Sequence, residues 1–207
     1  MDQNYVITIA RGYGSGGKTI GKMLSEQLGV NYYDRQLIRM ASDDSGIHER
    51  LFGAADERVR LSAMFRRDGA AYTGQILPPE NSAFVSDDNL FNIQAKIIKD
   101  LAKKETCVIV GRCADYILRD QPNVIKLYVY APYEYCVKTA MEVFGTDRKE
   151  TEHNVREIDR HRSAYYKYYT GRDWQNASNY DLCLNSEQLG FQKCVDIVKA
   201  YLDIRFK

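Results

Sequence analysis

The stretch Gly12-Tyr13-Gly14-Ser15-Gly16-Gly17-Lys18-Thr19 satisfies G-x-x-x-x-G-K-[ST] in full. It follows a β-rich apolar run, Tyr5–Ala10, and precedes residues 18–28, whose apolar positions Ile20, Met23, Leu24 and Leu28 have helical spacing. A loop of this composition between a strand and a helix wraps an anion with its backbone N–H groups turned inward. Glycines permit the left-handed backbone angles this requires, and the following helix adds its positive end. Lys18 is placed to reach the β- and γ-phosphates of a nucleotide, and the Thr19 hydroxyl to ligate Mg²⁺.

The remainder of the chain alternates in the same manner. Val30–Tyr33, Thr106–Val110, Val124–Tyr130 and Tyr180–Leu184 read as short apolar strands. Between and after them, residues 35–42, 90–104, 132–144, 150–169 and 190–204 read as helices, with Gly29 a stop signal for the first. Five strands alternating with helices predict an α/β fold with a five-stranded parallel sheet flanked by helices, in one domain. Strand C-terminal ends then share one edge, where ligands bind. The phosphate loop, Asp34, Gly111-Arg112 and Ala131 all fall just past strand ends. From Asp43 to Ser86 the periodicity weakens; glycines, the pair Pro78-Pro79 and basic clusters near Arg58–Arg67 predict an inserted, partly helical segment.

Composition narrows the function classes. The chain has 207 residues and a net charge of +1, which argues against a duplex-DNA binder. No apolar run approaches the roughly 18 residues that cross a membrane, and the first residues lack the basic region of a secretory signal. Five cysteines without C-x-x-C spacing fit a reducing compartment. These features predict a cytoplasmic protein with no nucleic-acid or membrane partner. An N-K-x-D guanine motif is absent, and Val108–Val110 runs into Gly111-Arg112 rather than the acidic pair of a motor ATPase. Small-molecule kinases remain as the main enzymatic class.

Such enzymes bring two phosphate groups in line and need arginines converging from several segments. Arg112, at a strand end, is the best placed. Arg156 and Arg160, four apart, share a helix face that Lys167 continues, while Arg162 sits on another face near Asp159. A solvated surface, salt-bridged through Glu152, Glu157 and Asp159, is the competing reading of that helix.

In order along the chain, ITIARGYGSGGKT, YYDRQLIR, CVIVGRCAD and REIDRHR resemble the motifs of the cytidylate kinase-like branch of the nucleoside monophosphate kinases. The resemblance implies a P-loop NTPase fold with an acceptor-binding insert at 45–86 and a lid at about 145–172. It implies ATP on Gly12–Thr19 with Mg²⁺ at Thr19, and a nucleotide acceptor at Asp34, Arg39, Arg112 and Asp159. Lys18, Arg112, Arg156, Arg160 and Arg162 would carry catalysis, Asp159 orienting an arginine or meeting the acceptor. Asp34 would reach the metal shell or the acceptor phosphate. The implied function is ATP-dependent phosphoryl transfer to a nucleoside monophosphate, with room for a homodimer. A kinase of another small metabolite and a non-catalytic nucleotide sensor are the alternatives.

Several positions depart from that pattern. Asp34 and Arg39 stand one residue closer than in typical cytidylate kinases, and Cys113 replaces the family's Asp, with Asp115 two residues on. Segment 45–86 does not resemble the family's insert. Arg11, directly before the loop, either adds charge for phosphate or caps the sheet edge. The tyrosines at 165–169 with Trp174 pack a helix end or stack on a base.

Overall fold

A computed structural model describes residues 4–62 and 72–206. Five parallel strands form one sheet: β1 (Val6–Arg11), β2 (Asn31–Tyr33), β3 (Cys107–Val110), β4 (Val124–Tyr130) and β5 (Leu182–Asn185), in the order β2-β3-β1-β4-β5. The helices are α1 (Gly17–Leu28), α2 (Gln36–Ser45), α3 (Glu49–Ser62), α4 (Asp87–Lys104), α5 (Ala114–Ile117), α6 (Tyr133–Phe144), α7 (Arg148–Thr170) and α8 (Ser186–Phe206). The fold is therefore the α/β architecture expected from the alternation of apolar runs. Among the described residues no helix is long and apolar enough to cross a membrane.

Period-2 alternation sorts the strand residues into two cores. Ile7, Ile9, Val108, Val110, Ile125, Leu127 and Val129 face one side, where Ile20 and Leu24 of α1 and Val195 and Val198 of α8 pack on them. Cys107, Ile109, Val124 and Tyr128 face the other, beneath α2, α4 and α5. β1 and β3 are neighbours in register Val6↔Cys107 to Ile9↔Val110. The chain leaves β1 toward the outer strand β2 and leaves β3 for β4 on the opposite side. That divergence opens a crevice past their C-terminal ends.

Three elements differ from the sequence expectation. Residues 49–62 form a full helix, although their spacing carries only a weak apolar stripe through Phe52 and Ala55. β5 starts at Leu182 because a 3₁₀ turn at Ala177–Asn179 engages the Tyr180 N–H. The last helix starts at Ser186 and kinks at Gly190 (φ 70°, ψ 162°), where it was expected to begin. The side chains of the basic cluster Arg58–Arg67 lie outside the described residues.

Residues 72–86 have almost no regular structure, yet two buried asparagines one turn apart on α4 hold them. The Asn89 carboxamide accepts from the Leu77 N–H (2.8 Å) and donates to the Phe84 carbonyl (2.7 Å). Asn92 accepts from the Gly74 N–H (3.2 Å) and donates to the Gln75 carbonyl (2.7 Å). Backbone groups without a ladder partner are satisfied this way rather than left buried and bare. Replacing Asn92 by Ala should cost about 1–3 kcal/mol in urea unfolding. It should also speed proteolytic cleavage within 72–86, and an unchanged cleavage rate would show that the segment is held by other contacts.

Candidate active site

β1 runs into the loop Gly12–Gly16, which turns directly into α1. The Ser15 hydroxyl donates to the carbonyls of Gly12 (2.9 Å) and Val129 (3.1 Å), and the Ser186 hydroxyl donates to the Ser15 carbonyl (2.7 Å). Two hydroxyls thus tie the loop to β4 and to the start of α8. Gly16 caps α1 at φ 77°, and a Cβ there would lie 2.3 Å from the Phe191 ring, so only glycine fits. No side chain caps the helix and its first turn holds no acid, which leaves its positive end facing the cavity.

That cavity, of about 690 Å³, opens over the C-terminal ends of β1 and β3. The loop residues Gly12, Tyr13, Gly14, Gly16, Gly17, Lys18 and Thr19 line it, with Asp34, Arg35, Arg112, Asp115 and Arg162. Its walls come from Thr139 to Phe144 of α6, from Ile158 to Tyr166 of α7, and from Phe191. Among the described residues, five cationic side chains line it (Arg11, Lys18, Arg35, Arg112 and Arg162) against two carboxyls, Asp34 and Asp115. Such an excess of positive charge in a concave site suits a polyanion.

Several of the charged groups are placed by specific contacts. Asp34, just past β2, meets Lys18 Nζ at 2.6 Å and lies 4.0 Å from the Arg11 guanidinium. Arg112 follows Gly111 (φ 78°), and both Arg112 (φ 59°) and Cys113 (φ 53°) keep left-handed backbones. Non-glycine residues in this region cost about 1–2 kcal/mol each, a strain concentrated where Arg112 is presented to the cavity. Asp159 accepts from the Tyr13 N–H of the phosphate loop (2.8 Å to Oδ1) and from Arg162 (3.1 Å), which also donates to the Arg11 carbonyl (3.1 Å). Burial pushes the Asp159 carboxyl above its usual range, while Arg162 and the Tyr13 N–H pull the other way.

The structure separates the arginines of α7. Arg162 lines the cavity, whereas Arg156 and Arg160 are exposed and pair with Glu152 (3.5 Å) and Glu157 (2.8 Å). Of the three α7 arginines expected at the transferring group, the structure places Arg162 on the cavity and Arg156 and Arg160 on the exposed side of the helix. Arg39 is likewise exposed on α2 and does not line the cavity. None of the described residues of 45–86 lines it either. Sequence reasoning passed over Arg35 and the apolar wall of Val143, Phe144 and Phe191. The Val143 and Phe144 side chains end a helix with no motif to single them out. Of the aromatic run, Tyr165 and Tyr166 line the cavity with Trp174, while Tyr169 stacks on Phe91 (3.7 Å) in the core.

Asp115, buried beside the cavity, accepts a hydrogen bond from the Tyr166 hydroxyl at 2.6 Å. Burial pushes its carboxyl up to about 6, with Tyr166, two backbone N–H groups and Lys126 opposing. A carboxyl whose folded value is raised binds its proton more tightly in the fold. Its contribution is therefore fully present below the unfolded value near 4 and is lost as pH rises through about 6. Urea unfolding should show stability falling between pH 4 and 6 by on the order of 2–3 kcal/mol from this group, and Asp115→Asn should flatten that slope. A slope unchanged in the variant would assign it to other groups.

A model of the cytidylate kinase-like family matches residues 6–188. The chain is 25% identical over 199 residues to the cytidylate kinase of Methanosarcina barkeri, covering 95% of this chain and 96% of that one. To the cytidylate kinase of Methanopyrus kandleri it is 25% identical over 203 residues, covering 96% and 93%. Among solved structures, an uncharacterized protein from Eubacterium ventriosum superposes with a TM-score of 0.69 at 25% identity, covering 97% of this chain and 99% of that one. The shikimate kinase of Bacteroides thetaiotaomicron shares the fold, with a TM-score of 0.53 at 10% identity over 96% and 98%.

Proposed function

The chain belongs to the cytidylate kinase-like family, and from that premise we propose that it transfers the γ-phosphoryl group of ATP to a nucleoside monophosphate. One observation carries the reading: the phosphate loop opens onto the same cavity as Asp34, Arg112 and Arg162, which arrive from three other parts of the chain. Phosphoryl transfer needs mainly positioning and charge neutralisation, and a cavity with five cations against two carboxyls supplies both.

In this reading Gly12–Thr19 cradles the phosphates of ATP, with Lys18 on the β- and γ-groups. Arg112 and Arg162 draw in the acceptor phosphate and hold its oxygen in line with the γ-phosphorus. The acceptor oxygen forms the new P–O bond as the bond to ADP breaks, and the charge spread over the transferring group is met by Lys18, Arg112 and Arg162. The donor set suits Mg²⁺: the Thr19 hydroxyl and the Asp34 carboxylate, hard oxygen donors lining the same cavity, would hold it. That ion would supply positive charge to the phosphates. Asp159, fixed on the Tyr13 N–H, keeps Arg162 aimed at the loop rather than at solvent. The segment at about 145–172, containing α7, then acts as the cover that excludes water.

The test is ADP release from ATP·Mg²⁺ with a panel of nucleoside monophosphates. Release with CMP or UMP supports the reading; release with none of the panel, despite ATP binding, overturns it in favour of another acceptor or a sensor. Lys18→Ala should lower turnover by at least about a hundredfold with the thermal midpoint unchanged. Retained turnover in that variant would remove the loop from the donor site.

A further inference from the structure

Among the described cations that line the cavity, Arg11 alone comes from the sheet itself, as the last residue of β1, paired with Val129 of β4. Its side chain is accommodated at two glycines. A Cβ on Gly17 would stand 2.4 Å from the Arg11 Cβ and 3.0 Å from its Cγ. A Cβ on Gly111 would stand 2.2 Å from Nη1 and 3.2 Å from Cζ. The arginine therefore runs from the base of the phosphate loop to the strained turn that presents Arg112, across the floor of the crevice between β1 and β3. Larger residues at 17 or 111 would force it off this path.

The guanidinium is poorly satisfied where it lies. Only 15% of the side chain is exposed, and Nε has no hydrogen-bond partner among the described residues. Its ion pair with Asp34 is long, 4.0 Å, and that carboxylate is already engaged by Lys18 at 2.6 Å. Arg162 and Arg112 both repel it, and burial with those two charges pulls its pKa down to about 10. A structural arginine capping a sheet edge would be expected to hold a short, complete set of acceptors. Arg11 instead lines the cavity with its buried Nε unpartnered, beside the Lys18–Asp34 pair.

We propose that Arg11 meets the transferring phosphoryl group, as a charge-neutralising arginine delivered by the sheet rather than by a mobile lid. The proposal rests on the phosphotransfer reading above and adds to it a cation that the sheet supplies. Its geometry fits the role. Arg11 lies on the same floor as Lys18, which reaches the donor, and next to Arg112, which is assigned to the acceptor. The space between those two is where the phosphoryl group passes.

The test compares wild type with Arg11→Met and Arg11→Lys, measuring ADP release from ATP·Mg²⁺ with the best acceptor of the nucleotide panel or, where none serves, with water. Binding of a non-hydrolysable ATP analogue and the thermal midpoint are measured alongside. Arg11→Met should lower kcat at least about a hundredfold while analogue affinity changes less than about threefold. Arg11→Lys, which keeps the charge, should recover part of the rate. Ethylguanidinium added to Arg11→Ala should raise kcat saturably, a readout that a purely structural role would not move. Wild-type turnover with Arg11→Met within threefold of it overturns the assignment and leaves phosphotransfer standing. A loss of rate matched by an equal loss of analogue affinity, with no rescue by ethylguanidinium, makes Arg11 structural. Where Arg11→Met fails to fold, a folded Arg11→Lys with wild-type kcat and no change on adding ethylguanidinium overturns it as well. Absence of ADP release from wild type under both conditions overturns the phosphotransfer reading and this assignment together.

Discussion

Five cationic side chains share the lining of one cavity, and their mutual repulsion is the constraint the surrounding structure answers. Arg162 and Arg112 each disfavour the charged form of the Arg11 guanidinium, on top of its burial. The chain offsets this with two carboxylates placed between the cations. Asp34 bridges Lys18 and Arg11, and Asp159 fastens Arg162 to the phosphate loop. Both acids arrive by backbone geometry: Asp34 follows β2, two strands from the loop, and Asp159 sits on α7 where that helix meets it. The surplus that remains is positive, and a polyanion at the floor of the crevice would relieve it.

Holding those charges in register falls to groups with no charge at all. Ser15 and Ser186 bind the loop to β4 and α8 through carbonyl acceptors, so the loop cannot recoil from the cations beside it. Gly111, Arg112 and Cys113, all left-handed, form the turn at the end of β3, and the Cys113 carbonyl accepts from the Ile117 N–H to fix it against α5. Strain in that turn and repulsion in the cavity are two costs of one arrangement. The hydrophobic cores on both sheet faces are what sustain them.

How much of this was legible in the sequence depends on how local each signal is. The phosphate loop, the five strands and the positions past their ends follow from short-range chemistry: glycine freedom, period-2 burial and apolar runs. Segment 72–86 was not legible, because it is held by Asn89 and Asn92 of α4 and carries no periodicity of its own. Helical spacing sets Arg162 on a different face from Arg156 and Arg160, but not which face meets the site. What distinguishes them is rotation about a helix axis relative to a loop almost 150 residues away in sequence, through the Asp159 contact with Tyr13. Arg11 was ambiguous for the same reason: its path depends on Gly17 and Gly111 being glycines on two different elements, a coincidence that appears only once β1 and β3 lie side by side.

That coincidence bears on how such a site is assembled. An arginine on a mobile cover must lose its rotamer freedom, up to about 2 kcal/mol, each time the cover closes over a substrate. An arginine threaded through the sheet between two glycines incurs that loss once, during folding, and stands oriented before any substrate arrives. The cost moves to the folded state as a desolvated, under-coordinated guanidinium beside two others. The exposed ion pairs of Arg156 and Arg160 with their own helix neighbours are the complement of this arrangement. Where the sheet supplies one of the cations, that part of the charge stands in place whether or not α7 moves.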